Sequence, residues 1–202
     1  QACQFTRKAI NEFCEQPERE RKHTLLDARE IGPGVSEINE LFDSSETEFE
    51  NHCEEFLGDL SGTIYDSHDE QVRKKIAEGT LHLLDDTGED VHEVDSTLVR
   101  IAVECKSKQD HSGKIDQDGA TAVVQKANSE ENFLLTVGNP GFEDDAIDAA
   151  ERQGVLLLPA AAFATLVIYA NENDYRPEVY AEIFTEEGIL SRPDILKILD
   201  EW

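Results

Sequence analysis

The chain has 202 residues, 39% of them hydrophobic and 31% charged, enough for one large domain, or a domain with a small appendage, built on a core without disulfide or metal staples. Its 45 acids against 18 Lys and Arg give a net charge of -27, a surface that repels nucleic acid at ordinary salt and excludes binding through overall positive charge. No charge-free apolar stretch is long enough to span a bilayer, so a cytoplasmic protein with no membrane partner is expected.

In chain order, 5–30 reads as one or two polar helices broken near Pro17, followed by the interruption Ile31-Gly-Pro-Gly34. A short helix is expected over 36–42. A stronger one spans 45–60, where Ser45 and Glu48 form a capping box and Phe49, Cys53, Phe56, Leu57 and Leu60 make an apolar stripe at helical spacing. Next come a helix over 69–78, a strand over 80–84, and a β-hairpin pairing 91–94 with 98–105 around Asp95-Ser96. The pattern then predicts a helix over 116–128, a strand over 133–137, a loop at Gly138-Asn-Pro-Gly141, a helix over 143–153 stopped by Gly154, and a buried strand over 155–158. Helices over 160–171, 178–184 and 194–199 complete the chain. The order from residue 45 predicts an α/β fold with a mixed sheet, antiparallel in the hairpin and parallel afterwards.

Four cysteines with no CxxC spacing argue against zinc and for a reducing compartment. The six histidines are scattered. With Gln at position 1 and no Met, the chain is expected to be a piece of a longer protein. The excess of acid resembles that of proteins from extreme halophiles, in which molar salt screens charge to about 3 Å. Of the four successive segments 1–44, 45–96, 97–126 and 127–202, only the third carries more cations than acids. Its Arg100, Lys108, Lys114 and Lys126 surround Glu104-Cys105-Lys106 and are candidate contacts to a polyanion.

Glu104 and Lys106 lie at the end of the apolar run Leu98-Val99-Arg100-Ile101-Ala102-Val103, and their alternation puts both on one face of a strand, with Cys105 turned into the core. A carboxylate for a metal and an ammonium for an anion suit metal-assisted phosphodiester hydrolysis. A second carboxylate belongs on the strand paired with that of Glu104. Asp90 is the leading candidate, with Asp85 or Asp86 as alternatives on a longer hairpin. Carboxylate ligation points to Mg²⁺ or Mn²⁺.

Gly88-Glu89-Asp90 followed by Leu98 to Lys106 resembles the motif of the PD-(D/E)xK nuclease superfamily, although Glu89 stands where that motif has proline. Phe49-Glu50 through Leu57, Ile115-Asp116-Gln117 through Gln125-Lys126, and Phe133 onward to the helix after Leu158 are similar to the flanking elements of FokI-type and Mrr-like cleavage domains. The resemblance covers 45–170 and implies a restriction-endonuclease-like mixed β-sheet core flanked by helices. Residues 1–44 would be a helical N-terminal extension and 171–202 a C-terminal helical tail packed on the core. It implies a divalent-metal-dependent DNA endonuclease, the cleavage domain of a restriction-type or defence protein, with a homodimer for double-strand cleavage and a recognition domain elsewhere. Asp90 and Glu104 would hold Mg²⁺ or Mn²⁺, joined by the Cys105 carbonyl and by Glu50. Lys106 would act on the attacking water or the transition state, and Gln117 or Gln125 would contact water or backbone. The alternative is a non-catalytic nuclease-like module for DNA binding or assembly.

Overall fold

Ser45 opens the first helix, α1 (Glu46–Gly58): its side chain accepts from the Glu48 N–H while the Glu48 carboxylate accepts from the Ser45 N–H, so two otherwise unpaired donors near the helix start are satisfied. The expected stripe of Phe49, Cys53, Phe56 and Leu57 is buried, and Leu60 beyond the helix is buried with it. The computed structural model describes residues 45–68, 76–84, 99–108, 113–173 and 175–202. The helices expected within 1–44 and the strand expected at 91–94 lie outside them.

Strands β1 (Thr63–Ser67), β2 (Gly79–Leu83), β3 (Arg100–Ser107), β4 (Phe133–Asn139), β5 (Val155–Pro159) and β6 (Gly188–Ile189) form one six-stranded sheet in chain order. β1, β2 and β3 pair antiparallel, and β3 to β6 pair parallel. The expected mixed sheet is present, but the antiparallel neighbour of β3 is β2 rather than the 91–94 segment. Strand β1 is largely exposed, Ile64 included, and β6 is two residues long; neither has an apolar run that would announce it.

Helices α2 (Gln117–Ala120), α3 (Ala122–Lys126), α4 (Asp144–Gln153), α5 (Ala160–Glu172), α6 (Pro177–Phe184) and α7 (Arg192–Glu201) complete the described elements. The single helix expected over 116–128 is two, divided at Thr121, whose φ of -108° and ψ of 10° leave the helical region while its hydroxyl donates to the Gln117 carbonyl. Gly154 ends α4 in the left-handed conformation, as its position predicts.

Alternation along β3 divides the core. Ile101, Val103 and Cys105 face a large apolar cluster with α1, α5, α6 and α7, whereas Ala102 faces a smaller one with Ile115, Ala120, Val123, Phe142 and Ala146. The apolar block from Val155 is β5 followed by α5, both packed against the sheet, and among the described residues no helix is long and apolar enough to cross a membrane. Glu104 and Lys106 therefore emerge on the side of α2, α3 and α4.

Gly138 is the register partner of Lys106 on β4, and a Cβ there would run into the buried Phe142 ring and meet Ile115 Cδ1 at 2.6 Å. This bare backbone lets both side chains close over the sheet beside Lys106. Gly138→Ala is expected to destabilise the fold by about 1–3 kcal/mol, the usual cost of overpacking. Urea unfolding at constant salt measures it; an unchanged midpoint would show that the wall beside Lys106 is loose.

Candidate active site

Glu104 is fully buried, whereas most acids among the described residues face solvent. A lone carboxylate cannot stay ionised in such a place, so its neighbours determine its state. The register supplies the first of them. Gly79 pairs with Val103, and the Glu78 N–H donates to the Val103 carbonyl at 3.0 Å. Glu78 thus stands one residue beyond that pair, opposite Glu104 and on the same face, and it is only 3% exposed.

Two lysines complete the group. Lys106 Nζ donates to Glu78 Oε1 and Glu104 Oε1, each at 3.1 Å, and to the Cys105 carbonyl at 3.0 Å. Lys126, at the end of α3, places its Nζ 2.5 Å from the same Glu104 Oε1. The remaining oxygen of Glu78, Oε2, accepts from the Cys105 backbone N–H at 2.7 Å. With both carboxylates ionised, Glu104 Oε2 is a buried oxygen with no donor.

The protonation states follow from these contacts. Burial, the hydrogen bond with Glu104 and that residue's charge push the Glu78 carboxyl up to about 9, against the opposing pull of Lys106. Burial also works upward on Glu104, but the hydrogen bond from Glu78 and the ammoniums of Lys106 and Lys126 outweigh it and leave the carboxyl below its usual range. Burial works to deprotonate Lys106, yet Glu78 and Glu104 hold its ammonium more strongly and raise its pKa. The two carboxyls thus keep one proton between them.

Behind β3, Cys105 and Cys53 are both free thiols, fully buried against each other. Burial pushes the Cys53 thiol up, and the contact with Cys53 together with burial does the same to Cys105. They serve as core, as expected of Cys105. Glu50 on α1 is half-buried and close enough for its charge to push the Glu78 carboxyl upward.

The other candidate residues are distributed as follows. Gln117 and Gln125 are exposed, and the residue of this helical segment that reaches Glu104 is Lys126. Lys126, grouped by sequence with the polyanion contacts, is turned onto a carboxylate and only 21% exposed. Arg100 sits toward the far end of β3, paired with Glu130 at 2.9 Å. Lys108 lies 3.6 Å from Asp116, and Lys114 is exposed. Asp85, Asp86 and Asp90 lie outside the described residues. Glu78 was missed because it ends a charged stretch that reads as helix. The signal was present nonetheless, since the alternation of Leu83, Leu81 and Gly79 puts Glu78 on the face of Thr80 and His82.

The donor set fits a hard divalent ion: two converging carboxylates, one with a buried oxygen that lacks a donor once Glu78 is ionised, beside a backbone carbonyl. Among the described residues no cluster of three or more His, Cys, Asp or Glu is placed to hold a metal; of these residues, Glu78, Glu104 and the Cys105 carbonyl are the ones that would hold the ion.

No family model matches the chain, and no curated protein matches it. Among solved structures, the fold is similar to that of the restriction endonuclease FokI, with a TM-score of 0.54 and 12% identity over 84% of this chain and 33% of that one. The chain spans about a third of the length of that enzyme. At this identity the likeness shows the fold, a restriction-endonuclease-like mixed sheet flanked by helices.

The shared proton makes stability depend on pH. Glu78 titrates near 4.5 when unfolded and about 9 when folded, so between these values the folded state binds more protons. Its contribution is present below the unfolded value and is lost as pH rises toward 9. Relative to Glu78→Gln, the metal-free wild type is expected to lose stability across this window, with a slope of at most about 1.4 kcal/mol per pH unit. Denaturation midpoints measured at successive pH values check it; parallel curves for the two proteins would contradict it.

Proposed function

We propose that the chain is the cleavage domain of a divalent-metal-dependent DNA endonuclease. The observation that carries this reading is the meeting of Glu78 and Glu104 on neighbouring strands with Lys106 across both, in a FokI-like fold. Glu78 takes the part for which Asp90 was the candidate. Glu78, Glu104 and the Cys105 carbonyl would hold Mg²⁺ or Mn²⁺, with Glu50 adding negative charge nearby. When bound, the ion activates water and neutralises charge on the phosphodiester. Lys106, held by both carboxylates, keeps its proton and presents an ammonium where phosphoryl oxygens gain charge. Lys108 and Lys114, beyond the end of β3, would meet the DNA backbone.

A net charge of -27 sets the conditions. Phosphate contacts weaken steeply with salt, and at low salt the acidic surface repels DNA. A halophilic cytoplasm, recognition by another domain and a dimer for double-strand cleavage are parts of the same proposal. One observation favours the alternative of a non-catalytic module: two ammoniums already hold the paired carboxyls, as a structural charge cluster would.

The readings separate in a plasmid-nicking assay in concentrated KCl with Mg²⁺ or Mn²⁺. Wild type is expected to nick, and Glu104→Gln and Lys106→Gln to lose at least about 10²-fold in rate while keeping cooperative unfolding. Absence of nicking by the folded wild-type chain would favour the non-catalytic module.

DNA affinity gives an independent check. Binding by this chain alone is expected to be weak and to fade with added salt. Nanomolar, sequence-specific binding in a fluorescence-anisotropy titration would contradict this account.

A further inference from the structure

Lys126 is held at two points. Its backbone carbonyl accepts from the Ala77 N–H at 3.3 Å, immediately before Glu78, and its Nζ lies 2.5 Å from Glu104 Oε1. The end of α3 is thereby fixed to the start of β2, and the side chain is directed at the central carboxylate of the site. Lys106 already donates to that same oxygen, whereas Oε2 has no donor when the pair is ionised. Two ammoniums converge on one oxygen of Glu104, and only Lys106 also bridges to Glu78.

We propose that Lys126 is an internal counter-cation that competes with the divalent ion for Glu104. It rests on the metal-site reading above and goes beyond it by naming what the ion must displace. A fully buried carboxylate needs positive neighbours, and Lys126 adds a second to Lys106 when no ion is bound. An ion entering between Glu78 and Glu104 meets the repulsion of this ammonium and takes over its interaction with Oε1. The 21% exposure of the Lys126 side chain leaves it a path toward solvent, where an anionic substrate would meet it. Lys106 bridges both carboxylates and stays in place. The affinity for the ion is therefore set below what the oxygen ligands alone would give.

The experiment is a Mn²⁺ titration of the full chain without DNA, followed by electron paramagnetic resonance, for wild type, Lys126→Gln and Lys126→Arg. Lys126→Gln is expected to bind Mn²⁺ about tenfold more tightly, as loss of about 1.4 kcal/mol of competition gives, and Lys126→Arg to stay near wild type. A second measurement needs no variant: the Lys126 ε-methylene NMR signal of wild type should move toward that of a solvated lysine as Mg²⁺ saturates the site. Equal or weaker Mn²⁺ binding by Lys126→Gln, or an ε-methylene signal unmoved at saturation, overturns the proposal while leaving the metal site standing. Failure of all three proteins to bind Mn²⁺ overturns the metal site and this proposal together.

Discussion

Two carboxylates and two ammoniums meet under and beside the end of β3, and much of the surrounding architecture serves to keep them there. Transferring one such charge from water into a protein interior costs several kcal/mol even after relaxation, and removing one member of a buried pair typically costs about 3–5 kcal/mol. Glu104 is tolerable only because Lys106, Lys126 and the proton shared with Glu78 surround it. Each member of the cluster consequently bears on the charge state of the others. Keeping an ionised carboxylate in the core stores unfavourable desolvation free energy, part of which a bound cation would offset. Such stored free energy is more readily explained by binding than by stability, since a well-packed apolar replacement is often as stable as a buried ion pair.

The sheet gives these four charges their geometry. β3 lies between an antiparallel and a parallel neighbour, so its register is fixed from both sides and its two faces cannot exchange. One face belongs to the large apolar cluster, where Cys105 packs against Cys53; the other emerges beneath α2 and α3. The Thr136 hydroxyl, on the register partner of Glu104, donates to the Ala120 carbonyl and holds the end of α2 over the sheet. The absence of a side chain at Gly138 lets Phe142 and Ile115 close the wall beside Lys106. Positioning of the charges is thus a property of the backbone register and of ordinary packing, and the acidic surface has little part in it.

The legible parts of the sequence were those with local causes. The capping box of Ser45 and Glu48 and the stripe from Phe49 to Leu57 mark α1, and period-2 alternation places Glu104 and Lys106 together with Cys105 behind them. Less legible were features whose cause is distant in the chain. β1 earns its place by hydrogen bonding to β2 as a largely exposed strand, and β6 exists because β5 lies beside it. Glu78 ends a stretch of mixed charge, and the alternation after it gives its face but not its burial; the burial follows from its pairing opposite Glu104, 26 positions later. Lys126 likewise reads as one more surface cation until the turn at Thr121 brings α3 over the sheet. The rule that the second carboxylate belongs on the strand beside Glu104 agrees with the position of Glu78, even though the strand expected to supply it was different.

The central claim is that Glu78 and Glu104 together hold a divalent ion. The most direct measurement is anomalous diffraction from crystals of the chain soaked in Mn²⁺. The account predicts one strong anomalous peak between the two carboxylates, about 2.1 Å from their nearest oxygens, as expected for a small octahedral cation. A peak held by other residues, or no peak at saturating Mn²⁺ with the four side chains still hydrogen-bonded to one another, would contradict it.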